Sequence, residues 1–176
     1  MVTEPLDLNG LIAEEGVVLL ALGWFLRLRG FTVPGFGPLP SARDLLLTLG
    51  LAPFTALAWI GSWELLQQGA ADAAEASAPA AHWVAILGAS IINPLFEELV
   101  LCAYMIQTLA RRRGAVLAVA ASLTVRLSFH TYQGPAGMLA IGMIGLILTL
   151  FYARTLRLWP VLIVHGLIDF VGLANQ

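Results

Sequence analysis

The 176-residue chain calls for an all-α bundle of about six membrane-spanning helices, forming one membrane domain over residues 1–176. Three observations point there. Hydrophobic residues make up 59% of the chain and charged residues only 11%, against about 25% charged in an ordinary soluble domain. Mean hydropathy is +0.86. The apolar residues also gather into six runs, each near the roughly 20 helical residues that cross a bilayer, and neither an internal repeat nor a linker to a second domain interrupts them.

The first run, 8–26, carries Glu14 and Glu15 near one end, an acid pair that reads as surface at the outer interface. The second, 44–66, leads into QQGAADAAEASAPAA, whose small polar composition reads as a partly helical loop. The third, 83–110, contains Pro94, which is expected to kink the helix and free the carbonyl of Ser90. The fourth is 114–132. The fifth, 135–153, carries Gly137, Gly142 and Gly145, which favour close helix packing. The sixth is 157–174. His82 beside Trp83 reads as an interfacial pair, and MVTEPLDLNG lacks the basic residues of a cleaved signal, so the chain reads as mature.

Orientation follows from the arginines. Arg27, Arg29 and Arg43 fall between runs one and two, Arg111, Arg112 and Arg113 between three and four, and Arg154 and Arg157 between five and six. The positive-inside rule makes those connections cytoplasmic and places both termini outside. With a net charge of −2 and one short basic cluster, a nucleic-acid partner is excluded. A single cysteine, Cys102, excludes an internal disulfide and reads as apolar filler.

Deep inside the runs lie Glu97, Glu98, Arg126, His130, His165 and Asp169. A charge at the centre of a membrane helix costs roughly 2.5–3.5 kcal/mol on the gentlest scale, so these groups are expected to face one another around a wet cavity. At about 1.5 Å of rise per residue their heights are compatible with one such cavity. His165 and Asp169 are spaced i, i+4, as are Arg126 and His130, and Ser90, Asn93, Glu97 and Tyr104 form a stripe. A carboxylate and a histidine could activate water there while a second histidine meets an oxyanion. The same groups could hold zinc through His130, His165 and Glu97, or pass protons in a carrier.

The order FEELVLC, RLSFHTYQGPAGML, LRLWPVLIVHGLIDF resembles the CAAX-protease and bacteriocin-processing (CPBP) family of intramembrane proteases, whose pattern is EExxxR, FxxxH and HxxxN or HxxxD on successive helices. The resemblance covers about residues 86–172. It implies an intramembrane endopeptidase in a bacterial or archaeal cell membrane, acting on membrane-embedded or membrane-associated peptides, with the lipid bilayer as its other partner. It implies catalytic roles for Glu97 and His130 on the attacking water and for His165 and Asp169 at the oxyanion, with no cofactor and zinc as the alternative. An ionised Asp169 would repel an oxyanion, so either desolvation keeps it protonated or, as the i, i+4 spacing favours, it orients His165 by accepting its other N–H. Glu98, Arg126 and Asn93 are expected to support the site.

Two positions depart from the pattern: Cys102 replaces the motif arginine, and Arg126 replaces the motif phenylalanine. The expectation is that the arginine has moved helices and pairs with Glu98 from the fourth run. An inactive binding or immunity protein is the reading from a different class.

Overall fold

A computed structural model describes residues 7–70 and 83–175, with side chains described over 7–62 and 83–175. The N-terminal stretch expected to be no cleaved signal, the polar loop beyond Ala70 and His82 lie outside the described residues. Among those residues all regular structure is helical: α1 Leu8–Leu28, α2 Ala42–Ala70, α3 Trp83–Arg113, α4 Ala115–Phe129, α5 Gly134–Thr155 and α6 Leu158–Ala174. Each of the six expected runs is a helix with its ends shifted by a few residues. Three segments, Ala42–Ser62, Trp83–Arg113 and Thr131–Thr155, are long and apolar enough to cross a membrane, and α4 and α6 are shorter apolar helices.

Local chemistry sets the ends. Asp7 caps α1 by accepting the amides of Asn9 and Gly10, each at 3.1 Å. Ser41 and Asp44 form a reciprocal capping box at the start of α2: the Ser41 amide donates to Asp44 at 2.9 Å and the Asp44 amide donates to Ser41 at 3.2 Å. Gly114, at φ +87°, breaks α3 from α4 with a backbone conformation that side chains disfavour. Gly134 at φ +70° and Pro135 in the first turn start α5 after the short Thr131–Gln133 turn.

The bundle is apolar outside as well as inside. Val116 is 86% exposed, Leu20 77% and Val84 74%, which suits lipid and not water. Inside, α3 is central, packing against α1, α4 and α6, while α2 packs on α5 and α6. A core of Leu101, Ile106, Leu148, Tyr152, Leu158 and Val161 is fully enclosed. Within it Gln107 Nε2 donates to the Tyr152 hydroxyl at 2.8 Å.

Two irregularities of α3 position the site. Pro94 lies inside the helix and leaves the Ser90 carbonyl without its intrahelical donor. Gly166 of α6 packs directly against that carbonyl; a Cβ there would lie 2.6 Å from it. The absence of a side chain at Gly166 thus brings α6 close to α3 beside His165. Immediately after Glu98, residues Leu99–Ile106 widen into π-helix, a local form frequent at functional sites. The wider turn takes later residues out of α-helical phase. Tyr104, expected in the stripe with Asn93 and Glu97, instead packs on Phe31, with ring centroids 5.6 Å apart.

Candidate active site

Glu97 and Glu98 close the α-helical part of α3 and are buried, at 4% and 0% exposure. Uncompensated, two adjacent carboxylates in an apolar bundle would be strongly destabilising. Arg126 of α4, itself buried, compensates both: Nη1 donates to Glu97 Oε2 at 2.9 Å and Nη2 donates to Glu98 Oε1 at 2.8 Å. The expected cross-helix pair of Arg126 with Glu98 is present, and the guanidinium spans Glu97 as well. Room for it comes from α5, where a Cβ on Gly145 would fall 2.6 Å from Arg126 Cδ. Gly145, expected only to aid packing, is therefore part of the arginine's seat. A Cβ on Gly142 would meet Leu127 at an ordinary 3.6 Å, so no comparable constraint acts there.

Each glutamate then meets its own histidine. His130 is the residue that ends α4, not an interior residue of the helix. Its Nδ1 lies 2.8 Å from the Arg126 carbonyl; since a carbonyl only accepts, Nδ1 carries hydrogen, and in the neutral ring of that tautomer Nε2 is an acceptor. That Nε2 stands 3.9 Å from Glu97 Oε1, too far for a hydrogen bond. His165 of α6 is tighter, with Nδ1 2.7 Å from Glu98 Oε1.

Asp169 lies one turn further along α6, and its Oδ1 is 3.5 Å from His165 Nε2. Asn93 donates from Nδ2 to Asp169 Oδ2 at 2.9 Å. The two contacts form rungs between α3 and α6, Asn93 to Asp169 and Glu98 to His165. Their order reverses along the two chains, so these helices run antiparallel. The expectation that Asp169 orients His165 needs refinement, because the short contact that fixes the ring comes from Glu98.

Cys102 is fully buried, with Sγ 4.0 Å from Thr149 Oγ1 and its thiol side against Glu98. Glu98 Oε2 is enclosed with no N–H or O–H donor on it, beyond the weak thiol beside that carboxylate. An arginine at 102, as the family pattern has it, would meet an acceptor there.

All seven residues singled out from the sequence meet in one cluster. Sequence reasoning missed Glu15. Glu14 is exposed, but Glu15 is half-buried, with Oε2 enclosed and unpartnered, and it feels the charges of Glu97, Asp169 and His165. The signal was available in the register of α1, which packs on α3 with Ile12 against Gly88. Glu15 follows one turn deeper on that side.

For a metal, Glu97, Glu98 and His165 offer ligand atoms within 4.8 Å of one another, a different set from the expected His130, His165 and Glu97. Arg126 already places its guanidinium on both carboxylates. A dication bound there would face that positive charge at close range, so these residues do not fit zinc.

A protein-family model described as Rce1-like, type II CAAX prenyl endopeptidase, matches residues 79–171. No curated protein and no solved structure matches the chain.

Proposed function

Because the chain belongs to the Rce1-like family of type II CAAX prenyl endopeptidases, a family of membrane proteases, we propose that it hydrolyses peptide bonds of membrane-associated substrates with water activated by Glu97 and His130. The observation behind this reading is the 3.9 Å gap between Glu97 Oε1 and His130 Nε2. One water at about 2.8 Å from each atom spans that gap. Both atoms are acceptors, so they take the two hydrogens of the water and leave its lone pairs directed outward.

Attack follows from that arrangement. As the water oxygen bonds to the scissile carbonyl carbon, Glu97 takes its proton, and the carbonyl π pair moves onto oxygen. The resulting oxyanion is met by Nε2–H of His165 in its imidazolium form. With Nδ1–H held by Glu98, both ring nitrogens must carry hydrogen, and the 3.5 Å separation from Asp169 leaves Nε2–H free for a better acceptor. Collapse restores the C=O bond and breaks the C–N bond, and the leaving nitrogen takes the proton back from Glu97. Arg126 and Glu98 hold the geometry, Glu98 by fixing the His165 ring. No step requires a metal.

The test is cleavage of a farnesylated CAAX peptide in proteoliposomes by wild type and Glu97→Gln. Wild type is expected to release the C-terminal tripeptide, and Glu97→Gln to lose about 10²–10⁴-fold in kcat with its unfolding temperature retained. Equal cleavage by both proteins would refute the role of Glu97, and retained biological effect without any cleavage would favour the binding or immunity reading.

A further inference from the structure

We propose that Asn93 is a second donor to the oxyanion, a catalytic residue supplied by α3. The proposal rests on the hydrolase reading above and adds a group that reading leaves in a supporting role.

It starts from the N–H groups of the cluster. Arg126 directs both terminal nitrogens at the glutamates, and its Nε is enclosed without a partner on the α5 side, where a Cβ on Gly145 would stand 3.0 Å away. His130 Nδ1–H is held by the Arg126 carbonyl, and His165 Nδ1 by Glu98. Among these side chains, Nε2–H of the His165 imidazolium is left for the oxyanion, together with the amide of Asn93.

Position and orientation both favour that amide. Asn93 is four residues before Glu97, on the same face of α3 and about 6 Å away along the axis. Asp169 Oδ2 accepts at 2.9 Å, which sets the NH₂ side of the amide toward α6. A primary amide carries two hydrogens, and Asp169 takes one. His165 Nε2 lies 3.5 Å from the other oxygen of the same carboxylate. Side chains from two antiparallel helices therefore already face one carboxyl group, Asn93 donating to one of its oxygens and His165 Nε2 standing beside the other. As the π pair moves onto the carbonyl oxygen during attack, that oxygen accepts from the second Asn93 N–H and from His165 Nε2–H. It releases both when the C–N bond breaks.

The experiment measures kcat, KM and unfolding temperature for wild type, Glu97→Gln, Asn93→Ala and Asn93→Leu on the same farnesylated CAAX peptide. Leucine is close in size to asparagine, suits a membrane helix and has no donor, so it guards against misfolding of the alanine variant. Asn93→Leu is expected to lose about 10²–10³-fold in kcat, the effect of removing one oxyanion donor, with KM within about threefold. Its unfolding temperature should stay within a few degrees of wild type. If Asn93→Leu keeps wild-type kcat while Glu97→Gln is dead, the inference is overturned and the hydrolase reading stands. A variant that melts early but turns over at wild-type kcat while folded would make Asn93 structural, which also overturns it. Identical cleavage by wild type and Glu97→Gln would strike the parent reading instead.

Discussion

Glu97 and Glu98 are neighbours in the chain and share one arginine, yet their surroundings differ in the way that separates chemistry from scaffold. Glu98 is fully enclosed, with Arg126 at 2.8 Å and His165 at 2.7 Å on the same oxygen. Glu97 has Arg126 at 2.9 Å on one oxygen and only His130 at 3.9 Å on the other. One carboxylate is locked and the other keeps an oxygen for water. Adjacent helical residues differ by about 100° in direction, so this difference costs the chain nothing more than a step of one residue. The lesson is that looseness marks the reacting group.

The strongest way to break this comparison is to remove what the two acids share. Arg126→Ala strips the guanidinium from two buried carboxylates, leaving Glu98 with His165 and Glu97 with no partner in hydrogen-bond range. It should cost about 3–5 kcal/mol of stability, read by chemical unfolding in micelles. Adding Cys102→Arg should recover part of that loss, because the enclosed Oε2 of Glu98 then gains a donor. A silent Arg126→Ala would mean that the guanidinium balances nothing.

Smaller effects should come from the glycines that seat these groups. Gly145→Ala forces a Cβ to 2.6 Å from Arg126 Cδ, and Gly166→Ala forces one equally close to the Ser90 carbonyl. Each should cost about 1–3 kcal/mol. They differ in kind, since Gly145 presses on a side chain and Gly166 on backbone, so Gly166→Ala should be the worse of the two. Thermal melts of the pair would show the order.

Glu15 should matter least. Its carboxylate is repelled by Glu97 and Asp169 and attracted by His165, and it is partly open to its surroundings. Glu15→Gln should raise stability slightly, on the order of 0.5 kcal/mol, with turnover nearly unchanged. A large loss of cleavage in that variant would place α1 in the machinery. Chelators sharpen the comparison from another side: with Arg126 between the carboxylates, phenanthroline should leave turnover unaltered.

Most of this architecture was legible in the sequence, for a physical reason. Ionisable residues within membrane helices are so costly that Glu97, Glu98, Arg126, His130, His165 and Asp169 had to face one another. The loss of the motif arginine at 102 and its gain at 126 likewise foretold a cross-helix pair. What stayed hidden depended on backbone detail. The π segment after Glu98 has no marker in composition, and it removed Tyr104 from the stripe. Gly166 reads as an ordinary small residue until Pro94 frees the Ser90 carbonyl beneath it. Glu15 looked like half of a surface pair because hydropathy alone does not say which side of α1 meets α3.

Unfolding temperature and turnover of Glu97→Gln and Glu98→Gln, measured side by side on one prenylated peptide, test the division of labour most directly. Glu97→Gln should keep its fold and lose cleavage, while Glu98→Gln should melt earlier through the loosened His165 and Arg126. Cleavage that persists in Glu97→Gln, or a Glu98→Gln protein as stable and active as wild type, would contradict the assignment of the reacting acid and the structural one.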